Sequence, residues 1–241
     1  MEKRAVVIGA SSGLGREVTL LLLKDGWRVG IGARREERLM QIKREWGEQV
    51  EVAQIDVTTE EAVEGLHMLI ARLGGMNLYF HASGIGKQNP ELTPEVEVST
   101  MHTNATGFTR MVGAAFRYFA QQGHGHIAAI TSVAGTKGLG QAPAYSATKA
   151  LQNTYLQALE QLSNKRQLHI RFTDIRPGFV DTELLSGTHH YPMMLHPEQV
   201  AKAIVKAICQ QRHIVVIDWR WHLLTMLWRR IPRWLWRRMK I

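Results

Sequence analysis

The sequence predicts an α/β fold: a doubly wound, seven-stranded parallel sheet with helices on both faces, followed by a helical tail. Two observations carry this. Over the first 218 residues, seven apolar runs of strand length alternate with segments of helical period. The runs are apolar throughout instead of at every second position, which is how strands covered on both faces read.

In chain order, the apolar run at 4–10 opens the sheet, and a leucine-rich helix is predicted over 14–25. A strand over 27–32, a helix over 35–46, a strand over 50–55 and a helix over 60–73 repeat the unit. A strand over 77–82 precedes one long helix over 94–121. Then come a strand over 126–131, a helix over 145–163, a strand over 169–175 and a helix over 197–211, which Pro197 opens at its first position. A strand over 214–217 closes the series in what is a Rossmann-type arrangement. No fixed-period self-similarity marks a repeat protein, and no Pro/Ser-rich linker divides the chain. One domain, 1–218, and a tail, 219–241, result.

Composition narrows the function classes. Of 241 residues, 45% are hydrophobic, enough for one substantial core. The single cysteine, Cys209, cannot form an internal disulfide, so a reducing cytoplasm is expected. The N-terminus passes straight into the first strand, leaving no room for a signal peptide. Formal net charge is +9, but seven of the 30 Lys and Arg lie after Asp218, with no acid among them. The other 23 face 21 acidic residues, so the surplus belongs to the tail and nucleic-acid binding is not expected.

Between the first strand and first helix stands Gly9-Ala10-Ser11-Ser12-Gly13-Leu14-Gly15. Glycine permits a tight turn, lets backbone approach a pyrophosphate, and leaves the helix N–H groups aimed at the anion. Gly9, Ser11, Ser12, Gly13, Leu14 and Gly15 are therefore the expected dinucleotide cradle. An ordinary glycine turn is the bland alternative, and the strand-turn-helix context argues against it. After the second strand comes Ala33-Arg34-Arg35, where an acid would serve the ribose 2′-hydroxyl of NAD. Its absence, with Arg34 and Arg35 in place, fits the 2′-phosphate of NADP(H). Arginines merely solvated at a helix start would oppose the dipole.

Tyr145-Ser146-Ala147-Thr148-Lys149 places Lys149 one helical turn after Tyr145 on the same face. A nearby ammonium favours the phenolate, which makes proton exchange by the tyrosine accessible. Ser132, at the end of the fifth strand, can hold a substrate oxygen next to the phenol.

Taken together, these residues resemble the short-chain dehydrogenase/reductase family over 4–217. Gly9 to Gly15, Ser132 and Tyr145 to Lys149 match its motifs, and Asn104 in Asn104-Ala105-Thr106-Gly107 looks like its long-helix asparagine. The resemblance implies that Asn104 completes a tetrad by holding a water in a proton relay with Lys149. It further implies that Tyr145 and Lys149 touch the nicotinamide ribose, Asp56-Val57 the adenine, and Ala82, Ser83 and Gly84 the cofactor. Pro177, Gly178, Val180 and Thr182 fall in its nicotinamide-facing loop. A homodimer or homotetramer through the long helices is implied as well. One departure is His81-Ala82-Ser83-Gly84, where the family often has Asn-Asn-Ala-Gly; His81 reads as a hydrogen-bonded structural residue.

The segment 183–196 would cover the substrate. Its leucines and methionines suit an apolar pocket or packing onto the core, both left open. His189-His190 lacks an acidic or cysteine partner at ligand spacing, so no metal site is expected. The tail holds five of the seven tryptophans, with Trp221, Leu224, Trp228 and Ile231 at helical spacing and Pro232 starting a second short helix. It is too short to span a bilayer. Two readings stand: a peripheral helix on the anionic inner face of the membrane, or a helix packed on the core or another subunit.

The expected function is hydride transfer between NADP(H) and a small-molecule carbonyl or alcohol, with reduction of a lipophilic ketone or aldehyde favoured. The rival is a non-catalytic dinucleotide sensor or scaffold of the same fold. Asn104, Ser132, Tyr145 and Lys149 standing together weigh against it. An epimerase or dehydratase would call for a longer C-terminal substrate domain.

Overall fold

The computed structural model describes residues 3–185 and 191–239. Its seven strands are β1 (Arg4–Ile8), β2 (Arg28–Ala33), β3 (Val50–Gln54), β4 (Leu78–His81), β5 (His124–Ile130), β6 (His169–Arg176) and β7 (Ile214–Val216). All pair in parallel, in the order β3-β2-β1-β4-β5-β6-β7. The order reverses between β1 and β4, and a sheet of this kind opens a crevice at the carboxyl ends of the strands there.

The helices are α1 (Gly13–Lys24), α2 (Glu36–Trp46), α3 (Ala62–Leu73), α4 (Pro94–Met101), α5 (Phe108–Gln122), α6 (Pro143–Lys165), α7 (Pro197–Cys209), α8 (Trp219–Arg230) and α9 (Arg233–Trp236). Strand alternation sorts the core into two layers. On β1, Ala5 and Val7 join the layer that holds Leu22 of α1, Leu39 of α2, Ile204 of α7 and Trp221 of α8. Val6 and Ile8 point the other way, to Leu66 of α3, Phe116 of α5 and Leu156 of α6. Apolar runs without alternation were the sequence signature of this double burial.

The long helix predicted over 94–121 is in fact interrupted. A π-helical turn, His102–Gly107, separates α4 from α5. Gly107 explains its seat, because a Cβ there would lie 2.8 Å from the Val57 carbonyl oxygen. Such wide turns are frequent at functional sites, and this one carries Asn104.

The tail packs one face on the domain. Trp221 is buried over Gly178, where a Cβ would lie 2.1 Å from the indole, and it meets Phe179 edge-on at 5.4 Å. Lys137 donates to the Ile231 carbonyl at 2.9 Å, and the Trp236 indole donates to the Gly138 carbonyl at 2.8 Å. No described helix is long and apolar enough to cross a membrane.

Candidate active site

The turn after β1 is built on left-handed backbone at Gly9 (φ +95°) and Gly13 (φ +52°), which side chains other than glycine rarely tolerate. A Cβ on Gly9 would lie 2.5 Å from the Ser83 amide nitrogen, and one on Gly15 would lie 2.1 Å from the Gly9 carbonyl oxygen. The loops after β1 and β4 therefore touch. At the start of α1, Ser12 makes no side-chain cap and the first turn holds no acid. Its hydroxyl instead accepts from Arg35 at 2.6 Å. The first N–H groups of α1 are thus left for an anion, as a dinucleotide pyrophosphate requires.

A cleft of about 390 Å³ opens above this turn. Every cofactor residue expected between Gly9 and Gly84 lines it, as does Thr182. Pro177, Gly178 and Val180 lie behind the wall: the Pro177 carbonyl accepts from the Val133 amide, Gly178 seats Trp221, and Val180 is buried beside Leu195. Asp56 lines the cleft while its carboxylate closes a local turn, accepting from the Thr58 amide at 2.9 Å and hydroxyl at 2.7 Å.

At the cleft edge, Arg35 and Arg38 both hold Glu183, at 2.9 and 2.6 Å. Those bonds, Arg38 foremost, keep the Glu183 carboxyl below its usual range. Arg34 lines the cleft but is exposed. Arg38 is the partner that sequence reading missed, although it lies only three residues beyond Arg35, in the first turn of α2. Exposed ion pairs of this kind hold weakly.

The inner end of the cleft, at Gly84, Ile85, Thr103 and Ile130, abuts the remaining site residues. Ser132 follows β5, is buried, accepts from the Ala134 amide at 3.0 Å, and stands close enough to the Tyr145 hydroxyl to lower its pKa. Tyr145, half-buried in the first turn of α6, lays its ring against Gly86, where a Cβ would lie 2.7 Å away. Lys149 sits one turn on, its Nζ 5.7 Å from the Tyr145 ring centroid. That ammonium donates to the Ile130 carbonyl at 3.2 Å and to Gln152 Oε1 at 3.0 Å. Asn104 clamps the main chain of Ile85, accepting from its N–H at 2.9 Å and donating to its carbonyl at 2.6 Å.

The four expected residues thus come together, and a fifth joins them. Fully buried Gln152 donates from Nε2 to the Asn104 carbonyl at 2.8 Å while accepting from Lys149. The resemblance put a water between Asn104 and Lys149. The Gln152 amide also joins the two, because the π-helical turn brings the Asn104 carbonyl to the face of α6 that carries Lys149 and Gln152.

Burial sets the proton affinities. It lowers Lys149 to about 8, with buried Asp174 opposing. Asp174 is itself held by the Thr131 hydroxyl and by Arg176. His81 is driven to about 3 by burial and then by Lys149. It is a neutral structural residue as expected, hydrogen-bonded to the Tyr79 hydroxyl at 2.8 Å and edge-on to Phe108. The Tyr145 phenol is pushed up by burial, the Ser132 hydrogen bond opposing. Sequence reasoning expected Lys149 to pull this phenol towards its phenolate; removal from water outweighs it.

Because Gly86 leaves room for the Tyr145 ring, Gly86→Ala is expected to cut turnover by about 10²-fold through misplacement alone. Steady-state kinetics beside a thermal melt checks this; an unchanged rate would mean that the ring need not sit there.

Comparison with known proteins decides the family. A model described as short chain dehydrogenase matches residues 3–191. The chain belongs to that family. An uncharacterised oxidoreductase of Myxococcus xanthus is 32% identical over 238 residues, covering 95% of this chain and 93% of that one. Among solved structures, an alcohol dehydrogenase from Thermococcus sibiricus complexed with 5-hydroxy-NADP superposes with a TM-score of 0.77 at 26% identity, covering 90% and 96%. A short chain dehydrogenase from Burkholderia cenocepacia in complex with NADP gives 0.84 over 100% and 98%, and at 22% identity supports the fold alone. This short-chain dehydrogenase is thus an oxidoreductase of the type that binds nicotinamide dinucleotides and acts on alcohol or carbonyl groups of small molecules. His189 and His190 lie outside the described residues. Among the described residues of 183–196, Leu184 and Met194 are exposed while Leu195 is buried.

Proposed function

We propose that the protein reduces a ketone or aldehyde with NADPH, through Ser132, Tyr145 and Lys149. The observation that carries this is their meeting at the inner end of a glycine-floored cleft. The cofactor supplies the hydride. Ser132 holds the carbonyl oxygen against the phenol. Tyr145, kept protonated by its surroundings, donates to the forming alkoxide, and the reverse oxidation runs through the same groups. Lys149, an ammonium below about pH 8, stabilises the phenolate left behind. Gln152 accepts from that ammonium and is itself held by the Asn104 carbonyl.

Arg35 and Arg38 hold the 2′-phosphate, with Arg34 adding positive field. The loop 183–196 favours a lipophilic substrate, its Leu184 and Met194 facing outward. Exposed Val98, Met101 and Leu151 on α4 and α6 supply an apolar face for a homodimer or homotetramer.

Titration with NADPH and NADH, followed by a carbonyl panel, tests the reading. NADPH is expected to bind at least about tenfold tighter, and Arg35→Leu with Arg38→Leu to remove that margin while sparing NADH, since hydrogen bonds to charged groups contribute about 1.5–3 kcal/mol. Equal affinity for both nucleotides in the wild type would overturn the NADP preference. No turnover across the panel with tight binding would overturn the reductase.

A further inference from the structure

We propose that the outer surface of α8 and α9 docks on an anionic lipid bilayer. Helix α8 has two apolar sides. Trp221, Leu224 and Trp228 face the domain and pack on its core. The opposite row, Trp219, Leu223, Met226 and Leu227, recurs at helical spacing yet faces water, with Trp219 74% and Leu227 53% exposed. A solvated face would be polar there. Helix α9 repeats the arrangement: Trp236 is tied inward to Gly138, while Trp234 is 62% exposed with Leu235 beside it.

Charge identifies the occupant. Arg230, Arg233, Arg237 and Arg238 are exposed along the same tail, and no acid follows Asp218 in the sequence. Arg238 stacks over the Trp234 ring at 6.0 Å. Exposed tryptophan and leucine interleaved with arginine match the boundary between acyl chains and phosphate headgroups, where the indole sits at headgroup depth and the guanidinium reaches phosphate. A second copy fits poorly, because a two-fold contact sets each patch against itself and would bring arginines together without an acid. A nucleic acid would leave the Leu223–Leu227 row without an apolar partner. With α8 only twelve residues long, the tail lies on the bilayer and does not cross it.

Full-length protein is centrifuged with vesicles of phosphatidylcholine alone or mixed equally with phosphatidylglycerol. It is expected to sediment with the mixed vesicles, at least about tenfold more weakly with the neutral ones, and less as salt rises. The double variant Leu223→Glu, Leu227→Glu, whose NADPH binding reports an intact fold, is expected to lose that sedimentation. Brominated lipid in the mixed vesicles is expected to quench wild-type tryptophan fluorescence, which needs no variant. Protein that stays in solution with both vesicle types overturns the proposal. So does a double variant that sediments like the wild type, or one that splits an oligomer whose parent ignores vesicles; the last assigns the face to a second copy.

Discussion

Tyr145→Phe is expected to lower kcat for NADPH-driven carbonyl reduction by about 10²–10⁴-fold, the usual contribution of a positioned general acid. The substitution is clean, because the ring that rests against Gly86 is retained and only the hydroxyl beside Ser132 is lost. NADPH affinity should stay within about threefold, and a fall in kcat without a matching rise in KM would mark an interaction made in the transition state. Single-turnover loss of the nicotinamide absorbance measures the step. Turnover near the wild-type rate would place the proton donor elsewhere.

The fold was legible because its cause is local. Strands buried on both faces must be apolar throughout, and β1 shows why, sending Ala5 and Val7 to one layer and Val6 and Ile8 to the other. The glycine turn was legible for the same reason, since its backbone conformation restricts residue choice. Features resting on distant juxtaposition were not. Gln152 reads along the chain as an ordinary polar residue of α6, and its importance comes only from the π-helical turn that brings the Asn104 carbonyl alongside. That turn was hidden because apolar residues recur at helical spacing on either side of it, Val98 and Met101 before and Phe108 and Met111 after. Asp174 was hidden inside an apolar strand, and Arg38 was passed over because it lies one turn beyond the arginines next to β2. The two readings of the tail each describe one side of it: Trp221 packs on the domain and Trp219 faces outward.

Gln152 permits a sharper experiment, because its two neighbouring substitutions should move the pH profile in opposite directions. The Lys149 ammonium is faced by Tyr145 on its own helix, by Gln152, by the Ile130 carbonyl, by Asp174 on β6 and by neutral His81 on β4. Reduction needs the phenol protonated and the ammonium charged, so the rate should fall as pH rises through about 8. Gln152→Leu removes an acceptor from the charged form, which makes the proton easier to lose; the limb should move down by about one unit, since a hydrogen bond to a charged group contributes at least about 1.5 kcal/mol. Gln152→Glu puts a carboxylate at the same distance and favours the ammonium, so the limb should move up by a similar amount. Loss of packing or of the Asn104 contact would lower the rate and the melting temperature in both variants without giving their pH limbs opposite signs. Two limbs that stay at the wild-type position would mean that Gln152 is only a core residue and that Lys149 is held by the Ile130 carbonyl and Asp174 alone.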